Sequence, residues 1–215
     1  MFGLYLIEMY KDEIILDKPI YVGTTILDLS KLFKMRFHYD VVQKHFNGKS
    51  ELLYSDTDSL VYHIFVDDLY EWMKENKNLF DLSDFIRDDI RDGTNKKKLG
   101  VMKDELNGLP INEFISLGPK CYSFTYKENV DKNIKKAKGV SKTVVKNEIT
   151  HNDYKDVVSK CINLDRNIMS IRSFKHQLYT IQQKKTCLSC FYDKAELIGN
   201  IHTLPYGYKN LNNNI

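Results

Sequence analysis

The chain has 215 residues, of which 42% are hydrophobic and 28% charged, and a formal net charge of +3. That length can bury one substantial core or two small ones, and the composition is that of a globular protein. No apolar run reaches the roughly 18 residues of a membrane span. The N-terminus mixes its apolar residues with Glu8, Lys11, Asp12 and Glu13 and lacks the order of a signal peptide, so the expectation is an intracellular protein.

In chain order, residues 4–16 start like a strand, and Lys18-Pro19 breaks it. Residues 20–22 read as a short extended segment ended by Gly23. Residues 25–46 read as a helix, because Ile26, Leu29, Leu32, Phe33, Phe37 and Val41 recur at the helical period. Asn47-Gly48 is a turn, and residues 51–65 form a hairpin. Residues 66–79 read as a helix with Trp72 in the core. Residues 80–98 are polar and acidic and read as a loop with a short helix.

Strands are expected over 99–105, 112–117 and 120–126, the last with Tyr122, Phe124 and Tyr126 on one face. A lysine-rich link, 130–137, follows. Short helices are expected over 140–147, 152–163 and 166–171, with His151-Asn152-Asp153 capping the second. Residues 173–183 alternate as a strand, 187–197 are mixed, and 210–215 form a polar, disordered tail.

Charge is unevenly spread. Asp81, Asp84, Asp88, Asp89 and Asp92 face only Arg87 and Arg91 in one stretch. Between residues 120 and 146, Lys120, Lys127, Lys132, Lys135, Lys136, Lys138, Lys142 and Lys146 outnumber Glu128 and Asp131. A nucleic-acid backbone would be felt in the lysine-rich stretch, although a charge run is also an ordinary solvated face. Cys187-Leu188-Ser189-Cys190 has zinc-knuckle spacing. Cys121 and Cys161 are isolated, however, and His176 and His202 form no matching pair, so the sequence favours reduced thiols over a zinc site or a disulfide framework.

The stretch Tyr54-Ser55-Asp56-Thr57-Asp58-Ser59 lies between the apolar runs Leu52-Leu53 and Leu60-Val61-Tyr62. It reads as strand, tight turn and strand with acids at the tip. Residues two apart in a strand share a face, so Asp56 and Asp58 can address one hard divalent cation. Asp and Ser are also ordinary turn residues, so the acids alone do not decide between the two readings.

The flanks do more. Tyr54 to Ser59 between hydrophobic strands resembles the palm metal motif of family B DNA polymerases. Lys18-Pro19-Ile20-Tyr21-Val22-Gly23, Ile26-Leu27-Asp28-Leu29-Ser30-Lys31 and Leu99-Gly100-Val101-Met102-Lys103-Asp104-Glu105 fit the same family in order. So do Lys120-Cys121-Tyr122, Lys136-Ala137-Lys138-Gly139-Val140, Leu188-Ser189 with Asp193-Lys194, and Thr203-Leu204-Pro205-Tyr206-Gly207. The chain is most similar to the protein-primed branch of viruses, organellar plasmids and Polinton-like mobile elements. Departures are Gly118, where other members often carry Arg, and Ala195 after Asp193-Lys194.

The resemblance implies an α+β fold. A polymerase palm portion would cover 1–146, with a metal hairpin at 51–65 and a Lys-X-Tyr strand at 119–126. A thumb-like region would follow at 147–215. It implies DNA-directed DNA synthesis with two Mg²⁺ or Mn²⁺ ions in the complete enzyme. Asp58 would be the main ligand, Asp56 would assist, and Tyr54, Thr57 and Ser59 would shape the turn. Lys120, Tyr122, Lys136 and Lys138 would meet primer or duplex DNA. The partners implied are primer-template, deoxynucleoside triphosphates and a terminal protein primer, with no membrane. The family's earlier Asp-X-X-Ser-Leu-Tyr-Pro and Asn-Ser-X-Tyr-Gly motifs are not in this sequence. The expectation is therefore a fragment needing the N-terminal polymerase regions, inactive alone. The alternative is a nucleic-acid-binding remnant without catalysis, and a zinc-stabilised interaction module is a weaker third reading.

Overall fold

The computed structural model of the chain describes residues 15, 17–129, 132–191, 195–198 and 202–205. They form an α+β structure of helices and small, mostly antiparallel sheets. The chain divides into two compact units, 1–65 and 66–215, and the expected boundary at 146/147 falls inside the second.

In the first unit, helix α1 (Ile20–Arg36) continues through a π-helical stretch, Phe37–Gln43, to a last turn, Lys44–Phe46. The expected extended segment at 20–22 is thus corrected to the first turn of this helix. Pro19 stands at its N-cap with φ −74°. A proline at a helix start forfeits no helical hydrogen bond, so it opens the helix instead of breaking a strand. Val42 and Phe46 are buried near the C-terminal end. Asn47 and Gly48, both at positive φ, turn the chain into β1 (Ser50–Asp56), which pairs antiparallel with β2 (Ser59–Ile64).

The second unit begins with α2 (Leu69–Glu75), capped by Asp68 Oδ1, which accepts from Tyr70 N at 2.8 Å. Trp72 is half-buried and meets Phe80 edge-on, with ring centroids 5.5 Å apart. The short helix expected within 80–98 is absent. In its place β3 (Phe80–Asp81) pairs in parallel with β4 (Met102–Lys103), and carboxylates build the turns between them. Asp81 accepts from the backbone N–H groups of Ser83 and Lys97, each at 3.0 Å. The Asp81 side chain thus takes the place of a ladder partner locally, while Phe80, Leu82, Phe85 and Ile90 are buried.

Next comes a three-stranded sheet of β5 (Ile111–Gly118), β6 (Cys121–Tyr126) and β7 (Asn133–Lys136). Residues 133–136 of the expected link are therefore an edge strand, and lysines on an edge discourage further pairing. Helices α3 (Lys142–Glu148) and α4 (His151–Lys160) follow. The cap of α4 is Thr150, in a reciprocal capping box with Asp153, and His151 is already inside the helix.

The expected helix at 166–171 is instead part of β8 (Asn163–Phe174), which forms a long antiparallel hairpin with β9 (Gln177–Ser189). Strands β10 (Ala195–Ile198) and β11 (His202–Pro205) pair antiparallel. The expected strand at 4–16, apart from Ile15, which lies in no strand, and the tail at 210–215 lie outside the described residues.

The main core gathers Val144, Val145, Ile149, Tyr154, Val157, Ile168, Cys187 and Leu188. Tyr154 is fully buried, and its hydroxyl donates to the Lys136 carbonyl at 2.9 Å. Among the described residues, no helix is long and apolar enough to cross a membrane.

Candidate functional site

Cross-strand register sets which way each hairpin side chain points. Directly opposed residues share a face, and the face alternates along the strand. Ser50 and Leu52 lie opposite Ile64 and Tyr62. The register then shifts between Leu52 and Tyr54, so that Leu53 is an extra residue and Ser55 falls opposite Leu60. Ser50, Leu52, Ser55, Leu60, Tyr62 and Ile64 therefore share one face.

That face meets the helix. Lys34 Nζ donates to Ser55 Oγ at 2.8 Å, and Gln43 Nε2 donates to Ser50 Oγ at 3.2 Å. The Tyr62 hydroxyl meets His38 Nδ1 at 2.9 Å, and the two rings stack with centroids 5.8 Å apart. Burial pushes the Tyr62 hydroxyl up to about 12.

Tyr54 and Asp56, opposite Val61 and Ser59, point to the other face. Without the bulge, Leu53 would take Tyr54's place, and Tyr54 and Asp56 would turn toward the helix. The extra residue thus aims the candidate carboxylate away from the packed side.

The tip is a two-residue turn of Thr57 and Asp58, closed by the pair Asp56 and Ser59. Thr57 has φ +52°, an uncommon conformation for a β-branched residue. Its Oγ1 donates to Asp56 Oδ1 at 3.1 Å, and Ser59 Oγ donates to the Asp56 carbonyl at 3.0 Å. Asp56 is half-buried and Asp58 exposed. Asp56, Thr57, Asp58 and Ser59 thus occupy one tip, with Tyr54 two residues behind.

Magnesium is commonly held by one or two carboxylates, with waters and substrate phosphates completing its shell. Asp56 and Asp58 are the residues of this tip that could hold such an ion. Among the described residues, no group of three or more His, Cys, Asp or Glu side chains gathers to hold a metal. A second ion would need carboxylates from elsewhere.

The nucleic-acid candidates lie in the second unit. Lys120 stands at φ +57° in the turn between β5 and β6, where Gly118 pairs with Cys121. Tyr122 is directly opposite Lys136 on β7, so the sheet brings these two side chains onto one face. Phe114 joins them: its ring centroid is 5.7 Å from that of Tyr122, and Phe124 is 6.3 Å from Tyr122. Lys120 and Lys136 are exposed and Tyr122 half-buried. Lys138 is exposed on the loop toward α3, outside the paired strand. Lys135 points to the opposite face and is spent on structure, with Nζ donating to the carbonyls of Lys146 and Ile149.

Sequence reasoning missed three arrangements. Lys34 is 8% exposed behind the hairpin, and its place in the helical run Leu32-Phe33-Lys34-Met35 was the only signal. Ser123, fully buried on β6, donates to the Ile134 carbonyl at 3.0 Å and meets His151 Nδ1 at 2.8 Å. His151 Nε2 in turn meets Glu113 at 3.0 Å, and Lys155 pairs with the same carboxylate at 2.6 Å. This serine–histidine–carboxylate chain resembles a nucleophilic triad in composition only. Its serine has no exposure to substrate, so it locks α4 to the sheet. Cys161 and Cys190 place their sulfurs 3.2 Å apart.

No family model, characterised protein or solved structure matches the chain.

Proposed function

We propose that the chain is part of a DNA-directed DNA polymerase of the protein-primed family B type, contributing half of a two-metal nucleotidyl-transfer site and a duplex-holding surface. The observation that carries this reading is the bulged β1–β2 hairpin. It presents Asp56 on its open face and Asp58 at the turn. Both acids lie within the Tyr-Ser-Asp-Thr-Asp-Ser motif.

Divalent metal bound there would activate the primer hydroxyl and neutralise triphosphate charge. The chain's own residues orient and support. Thr57 and Ser59 fix Asp56 at its side chain and its carbonyl. Lys120 and Lys136 suit phosphate contacts that carry no sequence preference, and Tyr122 suits packing against a sugar or base.

Two carboxylates alone leave a two-ion site incomplete, so the isolated chain is expected to bind DNA and to polymerise negligibly. The same shortfall supports the second reading, a nucleic-acid-binding protein without catalysis. The test is metal-dependent nucleotide incorporation on a primer-template. The chain is assayed alone, then with a polymerase segment supplying the Asp-X-X-Ser-Leu-Tyr-Pro and Asn-Ser-X-Tyr-Gly motifs. Incorporation only in the combination, lost on Asp58→Asn, supports the polymerase reading. DNA binding without incorporation in either case supports the second.

A further inference from the structure

Cys161 follows the last residue of α4 and adopts the left-handed conformation, φ +52°, that ends many helices. Cys190 follows Ser189, the last residue of β9. The β8–β9 hairpin begins at Asn163 opposite Ser189, so the two cysteines flank its base from both strands. Their Sγ atoms are 3.2 Å apart. Cys161 is exposed and Cys190 half-buried. The other two thiols are committed differently: Cys187 is buried with Sγ directed at the Lys185 carbonyl, and Cys121 packs against the core.

We propose that Cys161 and Cys190 are a reversible two-electron redox site, which forms an intramolecular disulfide by exchange with a low-molecular-weight disulfide. A bond of about 2.05 Å requires the two sulfurs to close by little more than 1 Å. That shift lies within the reach of side-chain rotation at the ends of a helix and a strand. The accessible Cys161 loses its proton, attacks one sulfur of the small disulfide and expels the first small thiol. The Cys190 sulfur, deprotonated in turn, attacks the Cys161 sulfur of the mixed disulfide and expels the second. Two protein thiols and one small disulfide become one protein disulfide and two small thiols, so two electrons pass outward. The exposure of Cys161 favours it as the first attacker, and the half-buried Cys190 as the resolving partner.

The consequence is mechanical. The bond ties the C-terminal end of α4 to the base of the long hairpin and closes a loop containing all of β8 and β9. The oxidised chain should therefore resist local opening of that hairpin more than the reduced one. The inference does not depend on the polymerase reading, and its test needs neither DNA nor metal.

The full chain is incubated with oxidised glutathione under native conditions, alkylated and mapped by mass spectrometry without reduction. The expected result is a peptide pair joined through Cys161 and Cys190, lighter by two hydrogens. Reactive thiols should fall from the four free cysteines of the reduced chain to two, and excess reduced glutathione should restore them. Cys190→Ser should leave a stable glutathione adduct on Cys161, and Cys121→Ser should leave the cross-link unchanged. A Cys187–Cys190 link, an adduct persisting on Cys161 in the unmodified chain, or four unreacted thiols would each overturn the proposal.

Discussion

Lys34 donates from Nζ to Ser55 Oγ at 2.8 Å, one residue before Asp56. A lysine only 8% exposed must keep a polar partner, because stranding its amine costs more than the bond returns. Lys34→Met keeps the apolar stem and removes the donor, and should destabilise the chain by about 0.5–1.5 kcal/mol. Ser55→Ala leaves the amine in place without this partner and should cost about 1–3 kcal/mol. Urea denaturation of the two variants checks the order. A larger loss for Lys34→Met would show that packing, not the hydrogen bond, holds this contact.

The buried Ser123 joins three elements: its own strand, the β7 backbone at Ile134, and α4 through His151. Ser123→Ala removes one donor to the Ile134 carbonyl and takes this partner from a buried ring nitrogen, and should cost about 1–3 kcal/mol. His151→Phe should cost a similar amount, and the double variant should fall short of the sum because the groups share one network. Full additivity in thermal or denaturant unfolding would argue against a coupled chain.

Acid should weaken the second unit in a stated window. Hydrogen bonds from Ser83 and from the Lys97 backbone hold the Asp81 carboxyl down to about 2. Lys155, then His151, hold Glu113 below the usual carboxylate range. Both folded-state values lie below the unfolded ones, so the unfolded chain binds more protons as pH falls. The stabilisation is present above about pH 4 and is lost toward pH 2. Asp81 is buried and accepts two backbone hydrogen bonds, so its share is the larger of the two. Glu113 is 37% exposed, so solvent screens its pairs and its share is smaller. Asp81→Asn should lower stability at pH 7 and flatten its fall between pH 4 and 2, read from urea midpoints. An unchanged acid limb would contradict the assignment.

The Tyr122–Lys136 face should hold single strands or duplex without sequence preference. Lys136→Ala and Lys120→Ala should each reduce the salt dependence of DNA binding by about one unit of slope. Tyr122→Ala should weaken single-strand binding by about 1–3 kcal/mol if a base stacks on the ring, and Tyr122→Phe should be close to neutral. Lys135→Ala should instead lower stability, since its amine bonds the Lys146 and Ile149 carbonyls. Fluorescence anisotropy across a salt series separates these cases. Equal slopes for wild type and Lys136→Ala would remove this face from the interface.

Local patterns carried much of this fold. The β1–β2 hairpin, the β6 strand and helices α2 to α4 follow from alternation, helical period and turn residues within a few positions. What failed depended on distant partners. Residues 166–171 contain Ile168, Met169 and Ile171, whose spacing serves a helix as well as a strand. The long pairing of β8 with β9 decided the matter. The lysines of β7 disguised an edge strand in which Ile134 and Lys136 share a face with Phe124 and Tyr122. Pro19 read as a breaker where it is a helix start. At the site, the acid pair was legible from sequence. The bulge at Leu53, the Lys34 support and the Tyr122–Lys136 pairing were not, because each is set by register between strands or by helix-to-hairpin packing.

The most direct test of the central claim is a Mn²⁺ titration of the purified chain, following free Mn²⁺ by electron paramagnetic resonance. Asp56→Asn and Asp58→Asn are titrated alongside. Saturable binding of one ion, weakened by Asp56→Asn and abolished by Asp58→Asn, is the predicted result. Binding unaffected by both substitutions, or no saturable binding in the wild-type chain, would contradict a metal-holding hairpin.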